Sequence, residues 1–319
     1  MIQRFYMFEE ALRLIKKYDR IILHRHSSPD GDAIGSQTGL KFLIEANFPE
    51  KKVYTVGDSP KRYSFMECSV PDTVPDSVYE GALAVILDTS AKALISDDRY
   101  TLAKETLRID HHIFIEKICT VEVVDTTFES CCGMIAEFAR ESGLRLNTSA
   151  ARALFTGMVT DSGRFRYDSA NARTFALASY LMSEDFGTAE IYSKLYAESF
   201  ENIRLRASFV LKIKFTEKGV AYIYTTAEEI AALGADPYAL SRGMVGTMSD
   251  IRGVDIWVNF TESPDGVLCE IRSSKYNINP VAVAHGGGGH AKASGATLKS
   301  RAEAMELLSE LDKMTEVKQ

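Results

Sequence analysis

The chain has six histidines, and all fall in three short segments: His24 and His26, His111 and His112, His285 and His290. In the first, HRHSSPDGDAIGS, Asp30 and Asp32 flank Gly31 just after an apolar run, and the glycine permits a tight bend. Two carboxylates so placed repel: at about 4 Å and an effective dielectric near 20, the cost is about 4 kcal/mol unless a cation intervenes. The same residues also read as an Asx-type turn followed by a helix-capping aspartate. Further acids weight the choice toward chemistry. Asp88 ends AVILD, Asp110 ends LRID and runs straight into His111 and His112, and Asp161 ends ALFTGMVTD. Carboxylate oxygen with some imidazole and no thiolate suits manganese or magnesium better than zinc or copper. His26, Asp30, Asp32, Asp88, Asp110, His111 and His112 are too many groups for one ion. Two ions about 3.5–4 Å apart, sharing a bridging carboxylate, would use them and would activate water for attack on phosphorus.

A second chemical feature is VAVAHGGGGHAKASGAT. Gly286, Gly287, Gly288 and Gly289 read either as a flexible connector or as a backbone cradle for phosphate, with His290 and Lys292 supplying cationic character. Arg272, at the end of an apolar hairpin strand, suits a bidentate phosphate contact.

These residues need elements to hold them. The segments 20–24, 51–57, 81–88, 106–110 and 120–125 are short apolar runs without alternation, the pattern of strands covered on both faces of a parallel sheet, and GDAIGSQTGLKFLIEAN reads as a helix. In an open α/β sheet the functional crevice lies at the carboxyl ends of the strands, where His26, Asp88 and Asp110 fall. Residues 130 to 205 read as helical, with Asn147 or Thr148 as a cap. Beyond them the pattern turns to hairpins. ENIRLRASFVLKIKF reads as a hairpin arm joined to GVAYIYTT across a Glu217-Lys218-Gly219 turn, and VDIWVNF turns at Ser263-Pro264-Asp265-Gly266 into VLCEIRSS. Asn279 and Pro280 open a short helix, GATL is a strand and a charged helix follows. The expected class is α/β: an N-terminal parallel-sheet domain over 1–188, a helical linker over 189–205, and a smaller mixed-sheet α/β domain over 206–319, with the active site in the cleft between them.

Composition narrows the function. With 45% hydrophobic and 25% charged residues the chain can build full cores, which excludes a disordered protein. A net charge of −7 provides no broad basic face for long duplexes, so any nucleic-acid substrate should be short or locally gripped. Five cysteines without CxxC spacing argue against a disulfide framework or structural zinc and read as buried free thiols. The start, MIQRFYMFEEALRLIKKY, reads as an amphipathic helix, and no apolar run suits a membrane span, so the expected location is cytoplasmic.

The motifs HSSPDGDAIGS, ILDTS, IDHH and GMVTDSGRF, in this order, resemble those of the DHH phosphoesterases, and RSS followed by GGGGHAKASGA resembles the glycine-rich motif of their DHH-associated C-terminal domain. The resemblance covers nearly the whole chain and is nearest to the nano-RNase branch, whose members also dephosphorylate 3′-phosphoadenosine 5′-phosphate. It implies that His26, Asp30 and Asp88 hold one metal ion and that Asp32, Asp88, His111 and Asp161 hold a second, manganese first and magnesium as the alternative. It further implies that His112 contacts the scissile phosphate, that Asp110 orients the paired histidines, and that Arg272, Gly286 to Gly289 and His290 bind the substrate's other phosphate or terminal nucleotide. His24 lies outside the shared pattern and reads as structural, and the role of His285 stays open. The implied substrates are short RNA or DNA oligonucleotides and nucleotide bisphosphates, with no membrane partner and with homodimerisation left open. Linear dinucleotides such as pApA, inorganic pyrophosphate in the manner of family II pyrophosphatases, and a non-catalytic nucleotide-binding module are the alternatives, in that order.

Overall fold

The computed structural model describes residues 8–315. Of the N-terminal amphipathic pattern, residues 1–7 lie outside the described residues, and the helix α1 (Glu9–Lys17) buries Ala11, Leu14 and Ile15. The chain divides into two compact units, Met1–Ala197 and Glu198–Gln319.

The first unit is built on five strands: β1 (Arg20–His24), β2 (Lys52–Thr55), β3 (Leu83–Leu87), β4 (Glu105–Asp110) and β5 (Val121–Val124). They form one all-parallel sheet in the order β2-β1-β3-β4-β5. Its helices are α2 (Gly31–Asn47), α3 (Cys131–Glu141), α4 (Thr148–Asp161), α5 (Ala172–Leu181) and α6 (Thr188–Tyr196). Alternate strand residues explain the unbroken apolar runs. Ile21, Leu23, Leu83, Val85 and Leu87 join the large core with the helices, while Ile22, Ala84 and Ile86 pack on the other face against Tyr79, Tyr100 and Ile118. That second face is covered by turns and 3₁₀ segments such as Asp76–Val78 and Asp98–Leu102 rather than by long helices. Four cysteines are buried as read from the sequence; Cys68 is exposed, because it lies in the irregular segment after β2.

The second unit opens with α7 (Phe200–Val210) and continues through β6 (Lys214–Phe215), β7 (Ala221–Thr225), α8 (Ala227–Leu233), α9 (Pro237–Met244), β8 (Ile256–Ser263), β9 (Gly266–Ser273), α10 (Asn279–Ala284), β10 (Gly288–His290), β11 (Ala293–Leu298) and α11 (Arg301–Met314). The sheet order is β10-β11-β9-β8-β7-β6, mixed because only β7 and β8 run parallel. Helices α10 and α11 cover one face, α7 to α9 the other. The hairpin turn at Ser263–Gly266 forms as expected.

The reading of ENIRLRASFVLKIKF as a strand is corrected: Phe200–Val210 is helical and only Lys214–Phe215 pairs. Ser199 caps the helix by accepting from Asn202 N (3.1 Å), and Leu205 and Phe209, one turn apart, enter the core. Ile203, Val210 and Leu211 stay exposed, so the apolar residues of this run do not form one buried strand face. Helices α8 and α9 were not read from the sequence, although Thr226 and Glu229 form a capping box and Asp236 caps α9 ahead of Pro237. Among the described residues, no helix is long and apolar enough to cross a membrane.

Candidate metal and phosphate sites

The carboxyl ends of β1, β3 and β4 bring His26, Asp88 and the pair His111 and His112 together. Helix packing delivers the remaining acids. The α2 and α4 backbones approach so closely that a Cβ on Gly35 would lie 2.7 Å from the Ala153 carbonyl, and one on Gly157 would lie 3.1 Å from the Asp32 Cα. A Cβ on Gly31 would strike the Thr160 side chain, so the first turn of α2, with Asp32, lies against the last turn of α4, with Asp161. Asp88 has φ near +50°, a costly conformation for a side chain with a Cβ, directly at the strand end where its carboxylate joins the cluster.

Three overlapping groups have ligand atoms within 4.8 Å of one another: His26, Asp30 and Asp88; Asp32, His111 and Asp161; and Asp88, His111 and His112. His26 Nε2 lies 3.6 Å from Asp88 and 3.8 Å from Asp30. His111 Nε2 lies 3.4 Å from Asp88, 3.4 Å from Asp161 and 3.8 Å from Asp32. The other ring nitrogens face backbone carbonyls, His26 Nδ1 that of Ser27 (2.8 Å) and His111 Nδ1 that of Phe128 (3.4 Å). That arrangement directs each Nε2 lone pair toward a ligand.

The donor set fits divalent cations. Asp88 is buried and its Oδ1 has no hydrogen-bond partner. Two of the groups each hold two carboxylates within 4.8 Å, a repulsion of roughly 3–4 kcal/mol at an effective dielectric near 20. In the bare cluster protons carry the compensation. Burial opposes charge on His26 and His111, but their carboxylate neighbours outweigh it and push both to about 10. Burial, with repulsion from Asp88 and Asp30, raises Asp161 to about 7 against the attraction of His111. Asp32 is raised well above the carboxylate range by burial and by Asp88 and Asp161. Burial opposes charge on Asp88, but the facing imidazoles of His111 and His26 outweigh it and hold Asp88 below that range.

Asp30 fits both readings of the sequence. It caps α2, accepting from Asp32 N and Ala33 N at 3.0 Å each, and its carboxylate belongs to the His26 group. Asp32 is fixed by a device invisible in the local sequence: Cys131 N (2.7 Å) and Cys132 N (2.9 Å), at the start of α3, donate one to each of its oxygens.

His112 stands apart chemically. Its Nδ1 donates to Asp110 Oδ1 at 2.7 Å, which leaves Nε2 for another partner. Buried Arg108 binds the second oxygen of Asp110, and its Nη1 reaches Glu122 and the Glu116 carbonyl, both at 3.2 Å. Arg108 was missed in the sequence reading; an arginine two residues before Asp110 in a buried strand, hence on the same face, is the signal that could have found it. His24 is buried between Tyr79 and Tyr100 with Nδ1 on the Asp97 carbonyl (3.2 Å), and burial depresses its pKa to about 4.

In the second unit a cavity of about 600 Å³ is lined by Arg272, Gly286 to Gly289, and also Glu270 and Arg242, which the sequence reading did not single out. The glycines are not a connector, since Gly288–His290 pair with β11, and a Cβ on Gly287 would overlap the Gly295 carbonyl. The expectation of bare amides is corrected in part. Gly286 N donates to the Val283 carbonyl (3.0 Å) and Gly287 N to that of Ala282 (2.8 Å), closing the end of α10. Strand β10 is at the sheet edge, and an edge leaves alternate amides without ladder partners. His290 is exposed on β10. His285 instead lies against α11, 3.5 Å from Glu303 and 3.4 Å from Glu310.

A parallel sheet that gathers acids and imidazoles at its strand ends, followed by a mixed-sheet unit with an arginine and glycine cavity, has direct counterparts among known proteins. The family model described as "DHH family, N-terminal domain" matches residues 20–158, and the DHHA1 domain model matches residues 220–316. The chain is 34% identical over 309 residues to the bifunctional oligoribonuclease and PAP phosphatase NrnA of Bacillus subtilis, spanning 96% of this chain and 98% of that one. It is 36% identical over 315 residues to the probable bifunctional oligoribonuclease and PAP phosphatase NrnA of Streptococcus mutans, spanning 95% and 97%. The crystal structure of an exopolyphosphatase-related protein from Bacteroides fragilis aligns with a TM-score of 0.83 at 25% identity, over 97% of this chain and 96% of that one. The chain belongs to the DHH family of phosphoesterases and is a hydrolase.

Proposed function

We propose that the protein is a manganese-dependent phosphoesterase that releases mononucleotides from short oligonucleotides and converts 3′-phosphoadenosine 5′-phosphate to AMP in the cytoplasm. The observation that carries this reading is the overlap of the three ligand groups on Asp88 and His111, supported by the likeness to proteins named for those two activities.

In this reading His26, Asp30 and Asp88 hold one divalent cation, and Asp32, Asp88, His111 and Asp161 hold the other. Such ions, when bound, supply Lewis-acid stabilisation and lower the pKa of water. The chain's own residues do the rest. Asp88 and His111 set the spacing because each belongs to two groups. Asp110, anchored by Arg108, holds His112 Nδ1–H, so that Nε2 is presented to a phosphoryl oxygen. Arg272 and the Gly286 to Gly289 segment, with His290, bind the substrate's remaining phosphate or nucleotide.

The test is turnover by purified protein with manganese on a dinucleotide, 3′-phosphoadenosine 5′-phosphate and pyrophosphate. Release of mononucleotide and of AMP, abolished by chelator and restored better by manganese than by zinc, is the expected result. Intact dinucleotide and bisphosphate would overturn it.

A further inference from the structure

The cavity of the second unit contains a residue at odds with anion binding. Glu270 on β9 lies two residues before Arg272, on the same face of the strand, and lines the cavity with it. Its Oε2 is 3.0 Å from Arg272 Nη2, and its Oε1 is 3.8 Å from Nε of Arg242, which reaches the cavity from α9. The Nη1 of Arg272 is spent on the carbonyls of Ile271 (2.9 Å) and Ser294 (3.4 Å). Arg272 thus meets protein acceptors through both Nη1 and Nη2, and the carboxylate sits against both guanidinium groups.

Charge follows from these three side chains. Two guanidinium groups and one carboxylate leave the cavity with one net positive charge instead of two. A phosphodiester carries a single negative charge, whereas a phosphomonoester carries about −1.5 to −2 at neutral pH and must approach a like-charged carboxylate. A neutral side chain at position 270 would remove that penalty, and a carboxylate at this position is not needed to build the strand.

We propose that Glu270 is a specificity-determining residue that moderates the cavity's charge, so that a singly charged phosphodiester or hydroxyl-ended nucleotide is accepted beside a terminal phosphomonoester instead of being outcompeted by it. Arg242 acts in the opposite sense. The proposal deepens the phosphoesterase reading above and rests on it for the identity of the cavity as the nucleotide-binding part.

The experiment compares kcat/KM for a 5′-phosphorylated dinucleotide with that for its 5′-hydroxyl counterpart, with manganese, in wild type, Glu270→Gln and Arg242→Gln. Glutamine keeps an acceptor for Arg272 while removing the charge. The ratio of phosphorylated to hydroxyl substrate is expected to rise about tenfold in Glu270→Gln, equivalent to about 1.4 kcal/mol, through KM rather than kcat, and to fall in Arg242→Gln. A ratio within twofold of wild type in Glu270→Gln, or a shift in the same direction in both variants, overturns the proposal. Calorimetric titration of the manganese-loaded proteins with AMP and with adenosine reads the same discrimination as a ratio of Kd values. If wild type turns over neither dinucleotide, the phosphoesterase reading fails, and the AMP-to-adenosine ratio still decides the role of Glu270. Should Glu270→Gln fold poorly, Glu270→Ser carries the same test.

Discussion

The two ligand-binding regions solve opposite electrostatic problems. At the ends of β1, β3 and β4 acids are gathered beyond what burial tolerates, so the site needs cations or protons to exist. In the second unit arginines line an open cavity, and an acid moderates them. In the proposed reading the first region sets what chemistry is done and the second which substrate is favoured. Substitutions in the first should therefore reach kcat and metal loading, and those in the second mainly KM.

The largest expected effect is at Asp88. Asp88→Asn removes the carboxylate common to two ligand groups and should lower kcat by on the order of 10³-fold with a fall in bound manganese per chain. Unchanged metal content, measured by elemental analysis after desalting, would break the comparison at its root. Arg272→Ala should raise KM by roughly 10–100-fold while kcat changes far less. A selective loss of kcat instead would mean that the second region takes part in the chemistry.

Arg108→Met sharpens the contrast from within the first unit. It strands Asp110 and Glu122, so a loss of roughly 3–5 kcal/mol of stability is expected from denaturant unfolding, since a buried pair has been broken. Because Asp110 then holds His112 less firmly, kcat should fall about 10–100-fold with little change in KM. Loss of stability with kcat intact would confine Arg108 to folding.

A pH effect separates the regions as well. His26 and His111 have folded pKa values raised to about 10 from 6.5. Their contribution to the stability of metal-free protein is therefore complete below pH 6.5 and is lost as pH rises toward 10. Manganese competes for the same nitrogens, so the rise in Tm that it causes should grow with pH over that window, and its binding at pH 7 should release protons. Calorimetry in buffers of different ionisation enthalpy reads the release; no release would contradict protonated imidazoles in the cluster.

The smallest effect concerns His24. Its folded pKa, depressed to about 4, means that stability is lost as pH falls from 6.5 toward 4, by on the order of 3 kcal/mol. His24→Phe should flatten that limb of a Tm-against-pH curve without altering manganese binding. A curve parallel to wild type would assign the acid sensitivity elsewhere.

Much of the first region was legible because its residues sit at the ends of short apolar runs: strand ends fix where His26, Asp88 and Asp110 emerge, and a parallel sheet places such ends on one edge. The same local logic failed for 201–215, where an apolar-rich run mimicked a hairpin strand, and what decided for helix was a cap at Ser199 and which two side chains found a core. By itself the sequence determined the acid and imidazole inventory, the parallel sheet and the glycine segment, all consequences of chain-local spacing. Only the tertiary structure decided that the start of α3 clasps Asp32, that Arg108 braces Asp110 against Glu122, and that Glu270 stands between two arginines from β9 and α9. Electrostatic and hydrogen-bond energies depend on distance in space, and those partners become neighbours only when the strands and helices have packed.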